Sequence, residues 1–230
     1  GAAVPALAAT IASRISGAAP PTLSLRKSYR GSVMTGKMGA QERVFILLET
    51  PRLRLRRFGP ADLDRLVELD SDPEVMRYIT YGVPTSRERY ESEILPRWLA
   101  LYETAPLLGY WAAELHDGGE FVGWFHLRPD RFDAGEQELG YRLRRPAWGQ
   151  GYATEGGRAL VALGFERVGA AKISARTLRA NRGSRRVMEK CGLAYECDFV
   201  YPEDVLAGRS EGERAAVKYS ITRSAWRRPA

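Results

Sequence analysis

The 230 residues carry 35 basic and 28 acidic side chains, a net charge of +7, with 44% hydrophobic residues. That is apolar material enough for one domain of ordinary size plus additional segments, and no apolar run approaches the roughly 20 residues of a membrane span. Arg14, Arg26, Lys27, Arg30 and Lys37 stand in an acid-free stretch over 1–41, which leaves 30 basic against 28 acidic residues, a net of +2, for 42–230. A nucleic-acid-binding domain concentrates basic charge on its folded part, so the charge does not argue for that function class, and no nucleic-acid partner is expected.

The first segment is rich in Ala, Ser, Gly and Pro. We expect residues 1–45 to be a basic, non-catalytic extension, with 46–230 forming a single domain. The rival readings are an organelle transit peptide, a flexible arm, or an upstream-extended start with Met34 or Met38 as the initiator. Ala6 to Ile15 could form a short helix ended by Gly17 and Pro20-Pro21.

From Leu48 the pattern is that of a packed domain. Leu53-Arg54-Leu55-Arg56 alternates as a half-buried strand does. Pro60 to Leu69 has proline at a helix start and apolar residues at helical spacing. Ser86 to Tyr102 predicts a second helix, interrupted at Pro96. Tyr110–Leu115 and Phe121–Leu127 read as aromatic-rich strands joined by the hairpin turn Asp117-Gly118-Gly119. Glu138–Leu143 is a strand leading to a glycine turn and a helix from Tyr152 to Val168. Strands at Ile173–Thr177, Leu193–Val200 and Ala216–Ile221 and a helix over Gly183–Cys191 complete an α/β domain.

The informative block is Trp148-Gly149-Gln150-Gly151-Tyr152-Ala153-Thr154-Glu155. Two glycines in a tight turn opening onto a helix leave several backbone N–H groups unpaired at the positive end of the helix dipole, which suits a pyrophosphate. A phosphate-binding loop of the GxxxxGK[ST] type is absent, because Gly36-Lys37 is followed by Met38. The dinucleotide fingerprint GxGxxG/A nearly fits at Gly149 and Gly151, but Thr154 occupies its sixth position. Arg144 to Trp148 also separate the turn from the strand end.

The block resembles the acetyl-coenzyme A loop of the GNAT superfamily of N-acetyltransferases, and more closely that of its RimJ/RimL-like branch. The general family pattern Q/R-x-x-G-x-G/A is met at Gly151 and Ala153, with Trp148 where Gln or Arg is usual. The branch pattern W-G-x-G-Y-A-T-E is met throughout. A second block, Asn181 to Leu193, resembles the branch's N-x-x-S-x-x-V-x-E-K-x-G-[FL] helix. The resemblance covers roughly Leu48 to Thr222. It implies a mixed, mostly antiparallel central sheet with splayed middle strands flanked by helices, acetyl-CoA as cosubstrate, and no metal.

What the resemblance implies for the site can be placed residue by residue. Leu143 N–H would polarise the thioester oxygen, and Arg144 and Arg145 would lie along the cofactor. Gly149, Gln150, Gly151, Tyr152, Ala153 and Thr154 would cradle the pyrophosphate. Asn181 would contact the pantetheine amides, and Ser184 would stand near the sulfur as the acid, where other family members use a tyrosine. Arg145, Arg185 and Lys190 would be further phosphate partners, the competing reading being a solvated basic helix face.

Glu138 is the general-base candidate from the residues themselves. Alternation puts it on one strand face with Gly140 and Arg142, opposite Leu139, Tyr141 and Leu143. Partial desolvation would raise its pKa enough to take a proton from an ammonium. The competing reading is a structural carboxylate paired with Arg142 or another base. Asn181 is likewise read equally well as a plain helix N-cap.

Cys191 and Cys197 lack CxxC spacing, and His116 and His126 are the two histidines, so no zinc site and no disulfide is expected. Cys191 is expected as a buried helix residue, and the protein as cytoplasmic with reduced thiols. Glu155 reads as structural at the helix start, and Trp98, Trp111 and Trp124 as core. Val75–Pro84 and Phe199–Glu213 are the expected substrate-facing segments, where Asp198, Glu203, Asp204, Glu211 and Glu213 could attract a cationic amine. The expected acceptor is a small-molecule or peptide amine, and a homodimer is left open. Two other function classes stand beside the enzyme: a non-catalytic acyl-CoA sensor of the same fold, and an NAD-type nucleotide enzyme.

Overall fold

The structure, a computed structural model, describes residues 45–228. The expectations for the N-terminal extension, including the Ala6–Ile15 helix, lie outside the described residues.

The described chain opens with β1 (Ile46–Glu49) and β2 (Leu53–Arg57), followed by a 3-10 turn at Pro60–Asp62 that leads into α1 (Leu63–Ser71). After α2 (Pro73–Met76), the short α3 (Arg87–Arg89), a π turn (Tyr90–Ile94) and α4 (Leu95–Thr104) run on as one helical stretch. The expected break at Pro96 is thus displaced. Pro96 is the second residue of α4, and the Leu95 N–H already reaches back to Tyr90 O through the π turn. A proline there forfeits no helical hydrogen bond that the π turn had kept.

β3 (Gly109–Leu115) and β4 (Phe121–Pro129) form the expected hairpin, with Gly118 and Gly119 at φ +76° and +65° as its turn demands. Then follow β5 (Gln137–Leu143), a 3-10 turn at Arg145–Ala147, and α5 (Tyr152–Leu163), which continues as a π turn over Gly164–Val168. β6 (Lys172–Leu178), α6 (Arg182–Lys190), β7 (Ala194–Val200), α7 (Glu211–Arg214) and β8 (Ala215–Thr222) complete the order.

One eight-stranded sheet runs β1-β2-β3-β4-β5-β6-β8-β7, antiparallel except between β5 and β6. That parallel pair is held at only two positions, Gln137↔Ile173 and Glu138↔Ser174, and the strands part beyond them. A mixed, mostly antiparallel sheet with splayed middle strands is what the motifs implied.

Each face of the sheet carries its own core. Phe125, Leu127 and Leu139 pack with Leu160, Val161 and Met188 of the α5–α6 side. On the opposite face Trp124 and Ala112 pack with Leu66, Leu69 and Trp98 of the α1–α4 side. Two buried glycines let α5 lie close. A Cβ at Gly156 would collide with the Phe125 ring, and one at Gly157 would stand 2.6 Å from Cys191 Sγ. Trp98, Trp111 and Trp124 are all buried, as is Cys191 at the end of α6, where burial pushes its thiol up to about 12. No helix among the described residues is long and apolar enough to cross a membrane.

Candidate active site

The glycine turn is built for an anion. Gly149 and Gly151 have φ +74° and +84°, the left-handed region in which an added Cβ is strained. Gly151 is the N-cap of α5 and offers no side-chain cap, so the first N–H groups of the helix have no partner of their own. Such N–H groups are the donors that the oxygens of an anion accept from.

Arg52, at the turn before β2, holds this shape. Its Nη1 donates to Gln150 O at 2.9 Å, its Nε donates to Glu155 Oε2 at 2.7 Å, and its guanidinium lies 4.5 Å from the Tyr152 ring centre. Glu155 Oε1 also accepts from Thr50 Oγ1 at 2.6 Å and from Arg52 N–H at 2.9 Å. Burial opposes ionisation of Glu155, but these hydrogen bonds and the Arg52 charge outweigh it and hold the carboxyl below its ordinary range. The structural reading of Glu155 is therefore the one the geometry supports, and its charge is matched by Arg52 beside the anion site.

The splay between β5 and β6 opens a cavity of about 860 Å³ that reaches the glycine turn. Arg144 N–H is spent on Val122 O of β4 at 2.9 Å. Backbone groups alternate sides along a strand, so the Leu143 N–H faces away from β4, into the gap. The Leu143 carbonyl, on the same side, accepts from Trp148 Nε1 at 2.8 Å. That bond gives Trp148, 46% exposed, a reason to stand where the wider family has Gln or Arg.

Across the gap, Tyr141 Oη sits 3.0 Å from Ser184 Oγ and 3.1 Å from Ser184 O. Burial pushes the Tyr141 phenol well above its usual range, so it remains a proton donor. Asn181 caps α6, its Oδ1 accepting from Ser184 N–H at 3.1 Å, while both residues line the cavity.

Glu138 lines the other side of the same cavity and is buried. Burial raises its pKa, opposed chiefly by Arg128. The Arg128 guanidinium lies at ion-pair distance from Glu138 Oε2 but is not aligned as a hydrogen bond, which leaves that oxygen without a hydrogen-bond donor. The partner foreseen for Glu138, Arg142, instead bonds to the fully buried Asp70. Beside Glu138, His126 stacks on Trp124 with its ring nitrogens unpartnered. Gly140 makes room for it, since a Cβ there would lie 2.5 Å from the ring. Burial first, then Arg128 and Arg142, hold His126 well below its usual pKa, so it is neutral.

Several of the residues expected along the cofactor stand outside this cavity. The Arg144 side chain reaches Glu68 of α1, and its N–H is used within the sheet. Arg145 pairs with Asp72 at 3.2 Å and does not line the cavity. Gln150 turns its carbonyl to Arg52 and lies outside the lining, and Arg185 bonds to Tyr219 Oη at 3.2 Å. Leu143, Gly149, Gly151, Tyr152, Ala153, Thr154, Asn181, Ser184, Lys190 and Glu138 all line the cavity. Tyr141, Arg52 and His126 were not foreseen. Their partners lie 43, 103 and 14 residues away in sequence, separations over which no local motif carries a signal.

The expected substrate-facing segments do reach the cavity, through Val75, Tyr78 and Ile79 and through Tyr201, Val205 and Leu206. The acidic residues proposed there to attract an amine do not line this cavity. Asp198 pairs with Arg179 at 3.1 Å, and Glu213 is held by Ser210 and Arg209.

A splayed parallel pair with an open strand edge and a glycine turn at an uncapped helix start suit an acyl cosubstrate that carries a pyrophosphate. A profile described as "Acetyltransferase (GNAT) domain" matches residues 52–194. The FsC-acetyl coenzyme A-N(2)-transacetylase of Aspergillus fumigatus is 37% identical over 190 residues, covering 79% of this chain and 78% of that protein. Among solved structures, a GNAT-family acetyltransferase of Bacillus anthracis superposes with a TM-score of 0.63 at 24% identity, covering 76% of this chain and 98% of that one. The spermidine N-acetyltransferase of Vibrio cholerae, solved with CoA and spermine, superposes with a TM-score of 0.60 at 18% identity, covering 75% and 96%. The chain belongs to the GNAT acetyltransferase family.

Proposed function

We propose that this protein transfers the acetyl group of acetyl-CoA to a primary amine by direct attack in a ternary complex, as a cytoplasmic enzyme of the RimJ/RimL-like branch. The observation that carries the reading is the convergence on one cavity of four groups: the Leu143 N–H, the Tyr141–Ser184 pair, Glu138 and the uncapped start of α5. The branch assignment rests on the W-G-x-G-Y-A-T-E and N-x-x-S blocks. The name of the fungal relative places its acetyl group on a nitrogen, N(2), in keeping with amine chemistry.

Each group has a task. The start of α5 and the Gly149–Gly151 turn hold the pyrophosphate of the cosubstrate, and Asn181 and the edge of β5 hold its pantetheine arm. Leu143 N–H donates to the thioester oxygen and stabilises the charge that develops there. Glu138, with a pKa raised by burial, takes a proton from the amine directly or through water. As the C–S bond breaks, the Tyr141 hydroxyl, linked to Ser184 Oγ, gives a proton to the thiolate.

Thermal unfolding in parallel with acetyl-CoA, CoA, NAD and ATP tests the reading. A ligand at about 100 times its Kd adds ~2.7 kcal/mol, roughly 5–10 °C in Tm for a chain of this size. That shift is expected with acetyl-CoA and CoA and not with NAD. Binding without acetylation of any amine would favour the sensor reading, and a larger shift with NAD would overturn both.

A further inference from the structure

Next to the main cavity lies a second, shallower one of about 690 Å³, sharing Tyr78, Leu178, Ala180 and Arg182 with it. Its walls carry Arg77, Arg179, Arg182 and Arg185 against a single carboxylate, Glu213. Glu213 is already engaged, accepting from Ser210 N–H at 2.9 Å and Ser210 Oγ at 2.8 Å and lying 3.5 Å from Arg209. Arg77 and Arg179 face Glu74 and Asp198 at 3.6 and 3.1 Å, both exposed pairs that contribute little. Arg182 has no ion-pair partner among the described residues. The annex is thus left with more cationic groups than its own carboxylates neutralise.

One lining residue, Tyr81, has a strained backbone. Tyr81 is the one non-glycine residue with positive φ among those described, at +59°. Its hydroxyl donates to Glu213 O, and Arg209 lies 4.2 Å over its ring. These contacts join the segment after α2 to the segment before β8, and Tyr81 and Glu213 both line the annex. The wall around Glu138 is mixed: Trp124 Nε1, Arg128 Nε and Arg142 Nε are buried donors without acceptors, and Glu138 Oε2 is a buried acceptor without a donor. An ammonium supplies a donor to Glu138 Oε2 but nothing to the annex arginines, which a carboxylate pairs with.

We propose that the annex is an anion subsite for the acceptor, and that the acceptor is an amine bearing a carboxylate rather than a polyamine. The inference rests on the acetyl-transfer reading and adds the substrate class to it. The amine lies toward Glu138 and the carboxylate toward Arg77, Arg179 and Arg182.

Matched acceptors that differ only in the carboxylate test this: ornithine against putrescine and lysine against cadaverine, each followed by thiol release from acetyl-CoA. The carboxylate-bearing member is expected to show a kcat/KM about tenfold or more higher, as a charge-assisted contact implies. Arg77→Gln combined with Arg179→Gln, two residues that line the annex and not the main cavity, should erase that preference while leaving the KM for acetyl-CoA unchanged. Equal turnover of the diamines would overturn the proposal. So would a rise in the KM for acetyl-CoA that disappears with dephospho-CoA, which would assign the arginines to the cofactor's 3′-phosphate. If no acceptor is acetylated, calorimetric titration of ornithine and putrescine into the CoA complex decides. Selective binding of ornithine supports the subsite and removes only the transfer reading, whereas no selectivity removes the subsite.

Discussion

Glu138 does not act alone, and its neighbours set what its replacement should do. Its carboxyl is buried with Arg128 at one oxygen, and burial raises its pKa above the ordinary carboxylate range. The base form therefore accumulates as pH rises through that raised value. Glu138→Gln is expected to lower kcat by about 10²–10⁴ and to remove the corresponding rise in kcat/KM. A pH series on both proteins checks this, and an unchanged profile would exclude Glu138 as the base. Tyr141 and Ser184 share one proton-donating unit at 3.0 Å. Tyr141→Phe should reduce kcat by about 10²–10⁴-fold with little change in the KM for acetyl-CoA, since neither oxygen is needed to hold the pyrophosphate. Ser184→Ala should be milder, because the Ser184 carbonyl still orients the phenol.

The anion site depends on elements meeting, and α5 carries most of that burden. Arg52 reaches it from the turn between β1 and β2, so the shape of the glycine turn is tied to a segment about 100 residues earlier. Arg52→Gln and Glu155→Gln should each raise the KM for acetyl-CoA. The two changes should be non-additive in Tm by about 0.5–3 kcal/mol, which a double-mutant cycle measures. Gly151→Ala puts a Cβ on a left-handed residue, a cost of about 1–2 kcal/mol, and should weaken cofactor binding as well. Gly156→Ala presses on Phe125 in the core instead. It should cost about 1–3 kcal/mol, read from the denaturant midpoint, with Kd for CoA altered less than by Gly151→Ala.

Charge networks give the whole domain a defined acid limit. Lys172 and Lys218 converge on Glu196 at 2.8 and 3.3 Å, while Arg176, only 2% exposed, bonds to Asp130. Burial opposes ionisation of Glu196, but hydrogen bonds from Lys172, Ser220 and Lys218 prevail and hold it at about 2. Asp62, Asp130 and Glu155 are likewise held below their ordinary range, against burial, by Arg56, Arg176, Thr50 and Arg52. A carboxyl whose folded pKa is depressed adds stability above its unfolded pKa and loses it as pH falls toward the folded value. Urea midpoints should therefore be steady from neutral pH down to roughly the ordinary carboxylate range near 4 and fall steeply below it. A flat midpoint down to pH 3 would show that these pairs are not linked to folding.

Local signals carried the sequence reading a long way. The β3–β4 hairpin was legible because Asp117-Gly118-Gly119 has the φ > 0 residues a tight turn needs. The pyrophosphate turn was legible because Gly149 and Gly151 serve the same requirement beside a helix start. The alternation of β5 separated Glu138 from Tyr141 and Leu143 correctly, since a strand has period two whatever surrounds it. Weakly patterned pieces escaped. β1 has four residues at a sheet edge, α2 and α7 have four each, and so short a window shows no period. Arg144 and Arg145 were expected along the cofactor because the resembled family pairs the backbone of this strand with the pantetheine arm, but the Arg144 N–H goes to Val122 O. Glu68 and Asp72, brought close by α1 and its C-terminal end, claim them instead.

What the residues determined by themselves were the properties set by covalent geometry and short-range order: the strand, the left-handed turn, the uncapped helix and the polarity of each strand face. What the tertiary structure alone decided were the pairings between distant segments. Only the parting of β5 from β6 frees the Leu143 N–H, only the packing of α6 on the sheet brings Ser184 to Tyr141, and only the crossing of β2 behind α5 gives Arg52 to Glu155. The reason is physical: a side chain's partner, burial and pKa belong to whatever the whole chain folds against it, and that has no period along the sequence.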